Sequence, residues 1–234
     1  FMTRRYELRF NRMKECKEYR ERHSLFMDYR PVTTEAVKSI CFEAQLEGIS
    51  AIEYDVQRYV DSRRISHYWP VEEYLFDLPN WDGQDRIRAL ADCVPCENKE
   101  WKDFFYIWFL SMVAHWLQMD REHANSTSPL LVGPQGCRKS TFCQNLLPPE
   151  LRPYYVDGID LGSRKDAEMA LNRFALINLD EFDSIPASRQ PYLKNLLQKA
   201  KVTLRKPYGG NVEEMRRFAS FIATSNTFSL LTDT

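Results

Sequence analysis

One stretch constrains the fold more than any other. Pro129 to Phe142 reads PLLVGPQGCRKSTF. The apolar run Leu130-Leu131-Val132 feeds a turn at Gly133-Pro134-Gln135-Gly136, and Lys139-Ser140-Thr141 opens a helix. A strand, a tight glycine-bearing turn and a helix start point backbone N–H groups inward under a helix N-terminus, a setting that suits an anion. The spacing is that of a phosphate-binding loop, or Walker A motif. Gly133, Gln135, Gly136, Cys137, Arg138, Lys139, Ser140 and Thr141 would form its cradle. Lys139 would reach the β- and γ-phosphates of a nucleotide such as ATP, and Ser140 would place its hydroxyl on Mg²⁺. One position departs from G-x-x-x-x-G-K-[ST]: Arg138 stands where the pattern has glycine. Its backbone N–H still donates, but a side chain now sits where the loop comes closest to phosphate.

The downstream sequence is consistent with that loop. Phe174 to Asp180 reads FALINLD and is followed by Glu181. A continuous apolar run reads as a buried parallel strand. Acids at its end suit a Walker B motif, with Asp180 in the Mg²⁺ shell and Glu181 polarising the attacking water. A second apolar strand, Phe218 to Thr224, ends in Ser225-Asn226. Asn226 at that tip is where a sensor of the γ-phosphate belongs. Lys139, Asp180, Glu181 and Asn226 are therefore the expected catalytic set.

The second half alternates strands with helices, which implies a parallel α/β sheet. Strands are expected at 130–132, 154–156, 174–180 and 218–224, and helices at 139–147, 163–171 and 191–199. Between the last of these helices and the final strand lies KVTLRKPYGGN, residues 201–211. Alternating Val202 and Leu204 suggest a strand, and Tyr208-Gly209-Gly210-Asn211 suggests a hairpin turn. Lys201, Arg205, Lys206 and Tyr208 put charge and an aromatic ring near its tip, as contact with a nucleic-acid backbone and a stacked base requires. A solvated charged face is the other reading.

The first half is mostly helical. Thr33-Thr34 caps a helix running to Gly48; further helices are expected at 51–60, 71–75 and 86–91, with a turn at Asn80-Trp81-Asp82-Gly83. Trp101 to Met119 reads as a buried helix containing His115, its apolar core too short to span a bilayer. Asp120 to Ser128 is polar and reads as a linker. Residues 1–30 carry many cations, but Glu7, Glu15, Glu18 and Glu21 are interspersed, so a solvated arm with a hairpin is favoured over a nucleic-acid contact. Three segments result: a basic arm or hairpin at 1–30, a helical domain at 31–125, and an ATPase core at 126–234.

A net charge of −1 means that any nucleic-acid binding comes from a local patch. The six cysteines stand without a signal peptide, consistent with a reduced cytoplasmic protein. Cys93 and Cys96 form a lone C-x-x-C, short of the four ligands a zinc site needs. Phe1-Met2 is not a native start, and the chain reads as a fragment.

The motifs GPQGCRKST at 133–141, LDEF at 179–182, the KVTLRKPYGGN hairpin and FIATSN at 221–226 together resemble the virulence-associated protein E family of phage and mobile-element P-loop ATPases. HYWPVEEYLFDLPNWDGQDRI at 67–87 resembles that family's region ahead of the ATPase core. The family is similar to superfamily 3 helicases of the AAA+ group. The resemblance implies an α/β P-loop NTPase fold preceded by a mostly α-helical domain. It also implies Asn226 as sensor 1, a hairpin facing single-stranded or forked DNA through Lys201, Arg205 and Lys206, a homo-hexamer, and a primase or other replication partner. Superfamily 3 enzymes take an arginine finger in trans from just past sensor 1. The chain stops before it, so the fragment is expected to bind nucleotide and hydrolyse it poorly.

Three functions compete at this point. The first is a replicative DNA helicase ATPase, although no primase metal-binding acids are evident. The second is a P-loop protein coupling ATP to regulation or assembly without unwinding. The third is a binding module whose nucleotide site has decayed. A small-molecule kinase is disfavoured, because Asp180-Glu181 with a polar strand end suits water activation better.

Overall fold

The computed structural model describes residues 1–25, 28–119, 122–205 and 212–227. The chain divides into two compact units, one ending at Glu73 and the other starting at Tyr74.

In the first unit a short helix α1 (Met2–Arg5) leads into strand β1 (Tyr6–Asn11) and strand β2 (Cys16–Glu21). These pair antiparallel, with Leu8 opposite Tyr19. Asn11 makes the turn between them: its buried side-chain oxygen accepts from the N–H groups of Met13 (3.1 Å) and Lys14 (3.0 Å). Strand β3 (Arg30–Pro31) adds to β2, and β4 (Ser66–Tyr68) pairs parallel with β1, giving the order β3-β2-β1-β4. Two helices, α2 (Thr34–Leu46) and α3 (Glu53–Val60), pack their apolar stripes on one sheet face. Tyr6, Val37, Ile40, Cys41, Val56 and Val60 form that core. The Thr33 hydroxyl caps α2 by accepting from the Ala36 N–H at 3.2 Å.

Residues 1–30 contain the expected hairpin, β1 with β2, but it is built into a sheet and is not a solvated arm. Its strands are the middle of a sheet, and several of its cations are ion-paired in place. Arg9 donates to the buried Glu18 at 2.8 Å, Arg22 contacts Glu7 at 2.9 Å, and Arg5 contacts Glu47 at 2.9 Å. Glu7 and Glu18 are among the acids interspersed in that stretch, and Glu47 lies just past α2.

Helix α4 (Pro70–Phe76) carries the chain across the division. The second unit continues with α5 (Arg86–Ala91) and α6 (Trp101–Trp116). Gly83 takes φ +85° in the expected turn before α5, where a Cβ would be strained. Helix α6 buries Phe105, Trp108, Met112 and Trp116 along one stripe and leaves Phe104 and Ile107 exposed, so it is half-buried rather than enclosed. No helix among the described residues is long and apolar enough to cross a membrane.

Strand β5 (Leu130–Val132), helix α7 (Lys139–Asn145), strand β6 (Tyr155–Asp157), helix α8 (Arg164–Arg173), strand β7 (Leu176–Leu179) and helix α9 (Gln190–Gln198) follow. Then come a hairpin of β8 (Lys201–Arg205) and β9 (Val212–Arg216), and finally β10 (Ser220–Ser225). The main sheet is parallel, in the order β5-β10-β7-β6. Every residue of β7 and β10 is buried, as a strand covered on both faces requires. One face packs on α8 and α9 through Leu171, Leu193 and Leu196 against Ile177, Leu179 and Phe221. Each such side chain contributes roughly 1.5–3 kcal/mol by leaving water. Elsewhere in this unit the indole N–H of Trp116 donates to the Ala175 carbonyl at 3.1 Å, and the rings of Phe105 and Phe142 lie 6.1 Å apart.

The boundaries expected at 30/31 and 125/126 differ from the division at 73/74. The polar stretch before β5 is tied into the second unit: buried Asn125 donates to the Ser220 hydroxyl at 3.1 Å. Polarity there marks hydrogen bonding within a domain, which composition cannot tell from a linker.

Candidate active site

The strand order brings three distant stretches to one edge. Because β10 lies between β5 and β7, its end at Ser225-Asn226 sits between the loop after β5 and the acids after β7. Ser225 is opposite Val132, and Ala223 is opposite Leu179. The pairing continues into the loop, where the Gly133 N–H donates to the Ser225 carbonyl at 3.2 Å. A Cβ on Gly133 would stand 3.3 Å from the Cys137 sulfur, and Gly136 turns the loop at φ +83°. Arg138 then takes the left-handed conformation, φ +66° and ψ +29°, directly before α7. That is the conformation for which the pattern specifies glycine, and the arginine adopts it with its side chain exposed.

Lys139 follows and folds over the loop. Its ammonium donates to the Gly133 carbonyl (2.7 Å), the Pro134 carbonyl (3.0 Å) and Oδ1 of Asn226 (3.0 Å). Ser140 donates through Oγ to Oδ1 of Asp180 at 2.8 Å. The loop thus touches the end of β10 through one residue and the end of β7 through the next.

Two residues that the motif reading did not select complete the arrangement. The Thr224 hydroxyl is hydrogen-bonded to Oδ1 of Asp180 and accepts from the Glu181 N–H at 3.3 Å. Asp183 accepts from the Ser225 hydroxyl at 2.9 Å and the Asn226 N–H at 3.3 Å. The signal for both was adjacency alone: Thr224 precedes the polar pair, and Asp183 lies in the same acidic run as Asp180. Burial works against the charge of Asp180, but the Thr224 and Ser140 hydroxyls, the Asn178 amide and the Glu181 N–H together hold its carboxyl below the usual range. The Ser225 hydroxyl, the Asn226 N–H and the nearby Lys139 charge likewise hold Asp183 low. Glu181 sits in the left-handed region at φ +51°.

These groups line a cavity of about 290 Å³. Gln135, Gly136, Arg138, Lys139, Ser140 and Thr141 form one wall, and Asp180, Glu181, Thr224 and Asn226 the other. Gly133 and Cys137 shape the loop without lining the cavity. At the cavity the side chains bonded to Asp180 present oxygens, the Ser140 and Thr224 hydroxyls. Mg²⁺ takes oxygen ligands, keeps several waters and needs only one or two carboxylates beside substrate phosphates, so the donor set fits it. Among the described residues no group of three or more His, Cys, Asp or Glu is placed to hold a metal by itself.

Of the residues expected to face DNA, Lys201 is described, and it does not line this cavity. Lys201 lies at the start of β8 and contacts Glu214 of β9 at 2.8 Å. The Arg205 side chain, Lys206 and Tyr208 lie outside the described residues.

A helix-covered parallel sheet with a lysine loop, a carboxylate and a polar strand end meeting at its carboxyl edge defines an α/β protein. Its candidate site lies in the crevice beyond the strand tips. The chain belongs to the virulence-associated protein E-like domain family, which matches residues 75–234. That span begins one residue after the start of the second compact unit. Two solved apo structures of the NrS-1 C-terminal region are similar in fold. One is 14% identical with a TM-score of 0.53, the likeness covering 96% of this chain and 55% of that one. The other, an A form, is 14% identical with a TM-score of 0.52 and the same coverage. The chain spans about half the length of these structures. No curated protein matches the sequence.

Proposed function

We propose that this chain is the ATP-binding and ATP-hydrolysing P-loop part of a phage or mobile-element DNA replication protein, a helicase of the superfamily 3 type that works beside a primase as a homo-hexamer. Membership of the virulence-associated protein E-like domain family supports the replication setting. The observation that carries the nucleotide reading is Lys139. Its ammonium reaches both the loop carbonyls and Asn226, while its neighbour Ser140 reaches Asp180. One cation and one hydroxyl, adjacent in sequence, thereby link all three strand ends.

In this reading the loop N–H groups bind the phosphate oxygens, and Lys139 exchanges its carbonyl partners for the β- and γ-phosphates. Mg²⁺, when bound, neutralises charge developing on the transferred phosphoryl group. Ser140 and Asp180 would hold it, and Thr224 would fix the Asp180 carboxylate. Glu181 orients the attacking water. Its N–H on Thr224 ties its position to that of Asp180. Asn226 reads the γ-phosphate from the middle strand, and Asp183 holds Asn226 through its N–H.

The Lys201–Glu214 pair favours a second reading, in which nucleotide binding drives assembly or regulation without unwinding. A hairpin cation already matched by a carboxylate offers less to a phosphate backbone. Glu181→Gln tests the hydrolytic role. It should bind Mg-ATP like the wild type and, in the assembled hexamer, release phosphate about 10²–10⁴-fold more slowly. Equal phosphate release by the two proteins would remove Glu181 from the chemistry. Release that rises with single-stranded DNA and loses that response in Lys201→Ala would favour the helicase over the second reading.

A further inference from the structure

A lysine ammonium carries three N–H donors and no acceptor. In this structure the protein itself takes all three donors of Lys139. Oxygens of Gly133 (2.7 Å), Pro134 (3.0 Å) and Asn226 (3.0 Å) surround the nitrogen, with the Cys137 sulfur at 3.7 Å. Lys139 lines the cavity, yet a phosphate has to draw it away from partners it already has.

Those partners are not alike. Two are backbone carbonyls of the loop that carries Lys139. The third is a side-chain amide at the end of β10, on the strand beside β5. The backbone under that amide is fixed: Asp183, just past β7, accepts from the Asn226 N–H at 3.3 Å and from the Ser225 hydroxyl at 2.9 Å. The amide therefore holds the cation from a point that does not move with the loop. Because a lysine only donates, the atom that faces it is the amide oxygen. A phosphate oxygen only accepts, so that amide oxygen cannot serve a nucleotide, whereas the amide nitrogen can.

The two ends of the amide respond differently to two nucleotides. A diphosphate draws Lys139 to its β-phosphate, breaks the contact with Asn226 and brings the amide nothing in return. A triphosphate breaks the same contact and brings a γ-phosphate oxygen for the amide nitrogen. We propose that Asn226 is a specificity-determining residue: it holds Lys139 in its phosphate-free position and so disfavours a nucleoside diphosphate relative to the triphosphate. This rests on the nucleotide reading of the site and adds to it an opposing contact in the empty cavity.

The test is calorimetric titration of the full chain with ADP and, separately, with ATP, both with magnesium. Asn226→Leu keeps the side-chain volume and removes the acceptor. It should bind ADP about 3-fold more tightly than the wild type, the size of one modest hydrogen bond, while ATP gains less or nothing. The preference for ATP over ADP falls accordingly. Asn226→Ala should shift the two affinities in the same directions, and it decides the matter if Asn226→Leu does not fold. Unchanged or weaker ADP binding would overturn the inference. Equal tightening of ADP and ATP would also overturn it, since a cavity merely opened by the substitution would give that result. In both cases wild-type ATP binding that is weakened in Lys139→Ala would leave the nucleotide reading standing. Absence of ATP and ADP binding by the wild type would remove both readings together.

Discussion

Arg138 holds a backbone conformation that L side chains rarely adopt, costing roughly 1–2 kcal/mol. It keeps the loop in the shape a glycine would give, which explains how Lys139 and Ser140 stay in register. Arg138→Gly should therefore raise stability by about 0.5–1 kcal/mol, the relief of strain being partly offset by the greater freedom of glycine in the unfolded chain. Chemical denaturation would measure it, and a loss of stability would show that the arginine side chain anchors the loop. The residue scale is also where the sequence was most readable. Lys139, Ser140, Asp180 and Asn226 stand out because phosphate and Mg²⁺ chemistry restrict the residue type at fixed spacing. Thr224 and Asp183 do not, since nothing local says that the end of β10 will lie between the loop and the acids. Their contacts follow from strand order, which periodicity does not carry.

At the scale of elements, the joint between α9, the hairpin and β10 depends on Arg217. It is fully buried and has no carboxylate among the partners described for it. Its guanidinium donates to the carbonyls of Leu196 (3.0 Å), Leu197 (2.9 Å) and Lys199 (2.7 Å), at the end of α9. It also donates to those of Ala219 (2.7 Å) and Asn125 (3.3 Å). Carbonyls left unpaired at a helix C-terminus carry partial negative charge, and a cation satisfies them. Burial lowers the guanidinium's pKa to about 10, which leaves it charged at neutral pH. Arg217→Met keeps most of the volume and strands these carbonyls. It should cost about 3 kcal/mol in urea unfolding. A loss under about 1 kcal/mol would mean that water replaces the guanidinium. No sequence pattern separates Arg217 from Arg216 beside it: the difference is made by the end of α9, about 20 residues away in the chain. The runs of β7 and β10 were legible because strands buried on both faces are mostly apolar, with Asn178, Ser220, Thr224 and Ser225 as the polar exceptions.

For the whole molecule, composition marked a basic arm, a helical domain and a core, whereas contacts divide the chain into two units at 73/74. At the N-terminus the hairpin was legible, but its place in a sheet was not, because a cation's partner is invisible until strands pair: Arg9 finds Glu18 across the hairpin. The α/β half was legible because strand, helix and motif all pointed to one arrangement. The central claim concerns that half, namely that its strand-tip cavity binds a nucleotide through Lys139. The most direct measurement is the affinity of the chain for Mg-ATP by calorimetry, beside that of Lys139→Ala. The account predicts saturable binding to one site per chain, weakened at least about 10-fold in the variant, a loss of roughly 1.4 kcal/mol. Equal binding by both proteins, or none by the wild type, would contradict it.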